Sequence, residues 1–157
     1  MRIRTRSAGV AALLAVAACV APPIETSRSI PAAPAQVRGA VEAELAALGL
    51  TRVGTQPDEI EATAAAAPPA WAACPPVLVG DGEDRRRMAS PDRRQAVVRI
   101  AIRPDAAGTQ ITIAASFTAA YRNPFSGYGS ERACHSRGVV ETRLLAAAGS
   151  GSATSAP

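Results

Sequence analysis

The amino-acid sequence predicts an α+β domain, a two-layer sandwich in which an N-terminal and a C-terminal helix pack on one face of a small antiparallel sheet. Two observations lead to this fold class. Apolar and polar residues alternate in two neighbouring segments joined by a turn, and a segment with helical periodicity lies on each side of them. A chain with the order helix, strands, helix is expected to pack both helices on one face of the sheet. We expect a single domain over residues 37–148.

The strands are predicted most clearly over residues 96–103 and 110–121, which are joined by a turn at residues 104–108. One face of this hairpin is apolar and the other is largely polar, as in an antiparallel sheet with one solvated side. The residues expected to face the core are Val98, Ile100, Ile102, Ile111, Ile113, Ala115, Phe117 and Tyr121. Residues 59–64 also alternate and predict a further strand, although their alanine content also permits a helix.

The two helices are predicted from apolar residues at helical spacing. The first covers residues 37–48, and Glu44 falls inside its apolar stripe, so we expect Glu44 to lie at the rim or to pair with an arginine. The second follows Ser136, whose hydroxyl can cap a helix, and ends at Gly149. Glycine, serine and alanine dominate residues 149–157, which predicts a disordered tail.

The N-terminus has the features of an export signal. Three arginines precede an uncharged apolar run over residues 8–18. As a helix this run is roughly 16 Å long, whereas the hydrocarbon core of a bilayer is about 30 Å thick, so it is too short to span a membrane. The pattern predicts a signal peptide over residues 1–18.

The signal ends in the residues Val16-Ala17-Ala18-Cys19. This motif resembles the lipobox of bacterial lipoproteins, a resemblance that covers the first 19 residues only. It implies that the Cys19 thiol receives a diacylglyceryl group and that cleavage makes Cys19 the first residue of the mature chain. The alternative is an ordinary signal peptide with a chance cysteine near its cleavage site.

The resemblance also implies a location. Val20 follows the cysteine, and the aspartate that retains lipoproteins at the inner membrane of enteric bacteria is absent from that position. We therefore expect the inner leaflet of the outer membrane, facing the periplasm, with the membrane as one partner and an envelope protein as another. Residues 19–36 contain four prolines among small and polar residues, which favours an extended tether that buries no core.

Charge and cysteine content narrow the function further. The chain has a net charge of +4, and loss of the three signal-peptide arginines lowers it to +1, so nucleic-acid binding is not predicted. Cys74 and Cys134 remain after lipidation of Cys19, and an even pair in an exported protein predicts a disulfide. In the chain-entropy model, closing a loop of this length contributes up to roughly 4 kcal/mol.

Catalytic and metal sites are not predicted, and no cofactor is expected. A zinc site at Cys74, Cys134 and His135 has adjacent ligands and lacks the usual spacing. Cys134 as a nucleophile with His135 as its base is disfavoured because neighbouring side chains rarely point at each other. A Ser–His–Asp site around His135, the only histidine, lacks the Gly-x-Ser-x-Gly turn. We expect His135 to be a surface or loop residue.

Two surface features remain open. Arg85-Arg86-Arg87 could contact lipid headgroups or an acidic polymer, but acidic neighbours favour a solvated loop over residues 80–92. Phe125, Tyr128 and Tyr121 could form a binding patch around the loop over residues 123–132, although Tyr121 also fits the core face of its strand.

The sequence thus predicts a non-catalytic envelope lipoprotein that acts as an accessory or binding module. A small lipid-anchored hydrolase or metal-binding protein centred on His135 is the alternative.

Overall fold

A computed structural model describes residues 24–79, 86–89, 91–122, 127 and 129–150. The predicted signal peptide and Cys19 lie outside these residues. The strands are β1 Ile24–Ile30, β2 Thr51–Gln56, β3 Glu59–Ala64, β4 Ala72–Ala73, β5 Val77–Val79, β6 Arg86–Ala89, β7 Arg93–Asp105, β8 Gly108–Arg122 and β9 Gly129–Ser136. The helices are α1 Pro34–Ala47 and α2 Val139–Ser150. Neither helix is both long enough and apolar enough to cross a bilayer.

The strands form a curled antiparallel sheet that resembles half of a barrel. The order of its strands is β2-β3-β7-β8-β9-β4. Strand β1 pairs with β8 on the same side as β9. Strands β5 and β6 form a separate two-stranded sheet. The mixed α+β class is confirmed, but the prediction of a small sheet in a two-layer sandwich is wrong. The central strands are 13 and 15 residues long, and twist accumulated over such lengths curls a sheet around the elements packed on it.

The predicted hairpin is confirmed as β7 and β8, which pair from Arg93 opposite Ala120 to Asp105 opposite Gly108. Residues alternate between a concave face, covered by α1 and α2, and a convex face directed to solvent. The buried concave residues of the two strands are Ala96, Val98, Ile100, Ile102, Thr109, Ile111, Ile113, Ala115, Phe117, Ala119 and Tyr121. The core therefore lies between the helix pair and this face.

Strand β1 corrects the prediction of a tether over residues 19–36. Ile24 lies opposite Ala115 and Ile30 lies opposite Thr109, so seven consecutive residues pair with β8. The side chain of Ile30 is only 1% exposed. An edge strand is held mainly by its backbone hydrogen bonds, so it forms here without the apolar alternation that marks a half-buried strand. The ordered domain therefore begins before residue 37.

Helix α1 begins at Pro34, three residues before the predicted start, because proline fits the first turn of a helix, where its missing N–H is not needed. Glu44 forms an ion pair with Arg143 of α2, with 2.6 Å between its Oε1 and Nη2 of the arginine. The expectation that Glu44 pairs with an arginine is confirmed, and the pair joins the two helices.

The start of α2 differs from the prediction. The Gly138 carbonyl accepts the first helical hydrogen bond, from Thr142 N–H, so Gly138 and not Ser136 is the N-cap. The Ser136 hydroxyl instead accepts the Gly138 N–H at 3.0 Å and donates to Glu141 Oε1 at 2.7 Å. The helix continues to Ser150, one residue beyond the predicted end at Gly149.

Two segments predicted as loops contain strands. Strand β9 occupies residues 129–136, so the loop predicted over residues 123–132 ends earlier than expected. Strand β6 lies inside the loop predicted over residues 80–92 and pairs with β5. Arg85 lies outside the described residues. The strand predicted over residues 59–64 is confirmed as β3.

Candidate functional site

The disulfide between Cys74 and Cys134 is present in the structure. The sulfur atoms are 2.07 Å apart and the Cα atoms 4.4 Å apart, across a sequence separation of 60 residues. Cys134 lies in β9 opposite Phe117, and Cys74 follows β4, whose two residues pair with His135 and Ser136. The bridge therefore fastens the proline-rich segment to the last strand.

Tyr121 lies near this bridge and belongs to the core. Its side chain is 3% exposed, and its hydroxyl donates a hydrogen bond of 2.5 Å to the Pro75 carbonyl. Burial raises the pKa of the Tyr121 hydroxyl, while the positive charges of Arg132 and Arg94 act in the opposite direction. The predicted patch of Tyr121 with Phe125 and Tyr128 cannot include the ring of Tyr121, and the other two residues lie outside the described part of the chain.

His135 does not meet the cysteines in a metal site. Its side chain is exposed, whereas the preceding Cys134 is buried, because successive strand residues point to opposite faces. Both candidate thiolate ligands, Cys74 and Cys134, are bonded to each other. Among the residues that the structure describes, no group of three or more histidine, cysteine, aspartate and glutamate side chains is arranged to hold a metal ion.

A polar depression lies on the convex face, where β7, β8 and β9 run side by side. Arg93 lies opposite Ala120, and Ala120 lies opposite Glu131, so a single methyl group separates two long side chains of opposite charge. The depression has a volume of about 390 Å³. We call it the Ala120 depression. It is lined chiefly by Asp92, Arg93, Gln95, Ala120, Arg122 and Glu131.

The charges around the Ala120 depression are available to a ligand. Arg93 and Arg122 provide two guanidinium groups, and Glu131 and Asp92 provide two carboxylates. All four side chains are exposed, and within the described ranges none of them forms an ion pair within 4.0 Å. A group of unpaired charges of both signs around one small residue suits a ligand that itself carries both signs.

Sequence reasoning missed this depression. Alternation along β7 and β8 places Arg93 and Arg122 on the polar face of the hairpin, which the sequence could show. Glu131 could not be placed, because its segment was predicted to be a loop and its position depends on the register of β9 against β8. No protein-family model and no curated protein matches this chain.

Proposed function

We propose that this protein is a lipid-anchored, non-catalytic binding or accessory module of the bacterial cell envelope. The observation that carries the proposal is how the three cysteines are divided between a disulfide and the lipobox-like motif. The disulfide takes Cys74 and Cys134, and the remaining cysteine is Cys19, at the end of the lipobox-like motif. Disulfides persist mainly in oxidising compartments, so the bridge supports export, and export is the condition for lipidation at Cys19.

A binding role is supported by the Ala120 depression. Its four charged groups, which form no ion pair with any other described residue, lie on a solvent-facing surface, where a ligand can reach them without a rearrangement of the fold. A surface of this kind can recognise a small ionic group through charge-assisted hydrogen bonds, which are stronger than neutral ones.

The anchor is tested by growing bacteria that express the chain with an alkyne-bearing fatty acid. We expect the wild-type chain to carry the label and Cys19→Ala to lose it completely. The matched control is the double variant Cys74→Ala and Cys134→Ala, which removes the other two thiols and should keep the label. Labelled Cys19→Ala, or unlabelled wild type, would contradict the proposal.

The location is tested by separating inner and outer membranes on a density gradient. We propose the outer membrane, facing the periplasm, so the labelled chain should sediment with the denser fraction. In an enteric host, Val20→Asp should shift the chain to the inner membrane. Equal distribution of wild type between both fractions would count against this location and leave the anchor itself untouched.

A further inference from the structure

We infer that the Ala120 depression binds a phosphoethanolamine-type zwitterion, in which a phosphate lies close to a primary ammonium group. The inference rests on the proposed function, which places the protein in the cell envelope where it would encounter the ligand. It specifies the class of ligand that the proposed binding module takes. It follows from the arrangement of Arg93, Arg122 and Glu131 around Ala120.

The two arginines favour a phosphate as the anionic part. Arg93 lies beside Ala120 on the neighbouring strand, and Arg122 lies two residues further along β8 on the same face. Strand geometry places the two Cα atoms about 8 Å apart, so both guanidinium groups can reach one anion between them. Each guanidinium donates a pair of N–H groups, and a phosphate has enough oxygen atoms to accept from both.

Glu131 favours a primary ammonium as the cationic part. It lies across Ala120 from Arg93, and it has no ion-pair partner among the described residues. A carboxylate accepts hydrogen bonds from an ammonium N–H, which a quaternary choline group lacks. Choline is bound instead by the faces of aromatic rings. Tyr121 also borders the depression, but its side chain is buried on the concave side of the sheet.

The position of the depression allows the ligand to be a membrane lipid. Strand β1 begins opposite Ala115, and Ala120 lies five residues further along β8, a distance of about 17 Å. The chain between Cys19 and Ile24 can extend at most about 18 Å. An anchored chain can therefore bring the depression to the headgroup layer. A free phosphoethanolamine compound presents the same chemistry from solution.

The first experiment measures vesicle binding by the oxidised full chain carrying Cys19→Ala, so that no acyl chain contributes. Vesicles of phosphatidylcholine alone are compared with vesicles containing equal parts of phosphatidylethanolamine. We expect about three- to fivefold tighter binding to the second kind, the range set by one exposed ion pair. Glu131→Gln and Arg93→Gln should each abolish this preference.

Matched controls come from the same convex face. Glu59→Gln and Arg103→Gln make the same changes of charge on exposed side chains outside the depression, and both should keep the preference. Equal binding to both kinds of vesicle, together with no Glu131-dependent response to soluble phosphoethanolamine, overturns the inference, and so does a preference that survives Glu131→Gln and Arg93→Gln.

A second measurement distinguishes the two sources of the ligand. Soluble phosphoethanolamine is titrated into the same chain, and amide chemical shifts around Ala120 are followed by NMR. Shifts that disappear in Glu131→Gln mean that a free zwitterion is accepted, whereas vesicle binding without such shifts assigns the site to lipid headgroups. Because neither measurement uses Cys19, their failure leaves the lipid-labelling result unaffected, and the reverse also holds.

Discussion

The two faces of the β7–β8 hairpin are built from alternate residues of the same strands, yet one face is buried and the other is exposed to solvent. On the concave face, side chains such as Val98, Ile100 and Ile113 are completely buried beneath the helices. On the convex face, small and polar residues alternate with arginines that remain in water. The comparison shows that the buried core lies on the concave face, whereas the convex face is open to solvent. The predictions below test this division, from the largest expected effect to the smallest.

The largest effect on stability is expected from removing the disulfide, which lies on the concave side of β9. Replacing Cys74 and Cys134 by serine should lower the free energy of unfolding by about 4 kcal/mol, because the open chain regains the entropy of a loop of this size. Urea denaturation of the double variant and of wild type measures the difference. Reduced wild type is the control and should lose a similar amount, and a loss below about 1 kcal/mol would contradict the entropic account.

Ile113 and Thr118 compare the two faces within one strand. Ile113→Ala should cost about 3 kcal/mol, because it removes a fully buried side chain and leaves a cavity. Thr118→Ala removes an exposed side chain from the convex face and should change stability by less than about 0.5 kcal/mol. Denaturation midpoints of both variants check this, and similar losses would show that the convex face also contributes to the core.

Tyr121 is a polar exception on the concave face. Tyr121→Phe should cost about 1 kcal/mol near neutral pH, because the hydrogen bond to the Pro75 carbonyl is lost. Burial raises the pKa of Tyr121 in the folded state, so the folded chain keeps a proton that the unfolded chain releases above about pH 10. The contribution of Tyr121 to wild-type stability should be constant below that pH and fall as pH rises through the raised pKa.

The control for this pH dependence is the Tyr121→Phe variant itself. Without a phenol at this position, the unfolding free energy should fall less steeply between about pH 10 and pH 11 than in wild type. Denaturation curves collected at several alkaline pH values give both slopes. Identical slopes for the two chains would mean that Tyr121 does not ionise differently in the folded and unfolded states.

The smallest effect is expected for the ion pair of the convex face. Arg99 Nε lies 3.0 Å from Glu61 Oε2, and the side chains of Arg99 and Glu61 are 64% and 37% exposed. Arg99→Gln should change the free energy of unfolding by less than about 0.5 kcal/mol, because exposed ion pairs are screened by water and salt. A double-mutant cycle with Glu61→Gln measures the coupling, and a coupling above about 1 kcal/mol would contradict this description.

The parts of the fold that the sequence predicted are those with apolar periodicity. The hairpin was predicted with the correct buried face because Ile100, Ile102, Ile111 and Ile113 repeat at every second residue. Strand β1 has a polar stretch between its two terminal isoleucines, and its backbone pairing with β8 leaves no trace in side-chain pattern. The curl of the sheet depends on strand length and twist and is equally invisible in a pattern of residues.

The two candidate features of the site differ in the same way. The disulfide followed from counting cysteines in a chain expected to be exported, because only Cys74 and Cys134 remain once Cys19 is set aside. The Ala120 depression arises only when Arg93 and Glu131 meet across β8, and that depends on strand order and register. Single-sequence periodicity specifies the face on which a residue lies and not its neighbour on the next strand.

Strand β1 also limits how far the domain can move. Ile24, the first residue of β1, lies five positions after the proposed acylated Cys19. With acyl chains on Cys19, the edge of the sheet stays within about 18 Å of the bilayer. A domain tethered this close to the bilayer can contact only molecules that reach the lipid surface or are embedded in it. Inserting a flexible stretch between Cys19 and Ile24 would widen this working radius while leaving the fold unchanged.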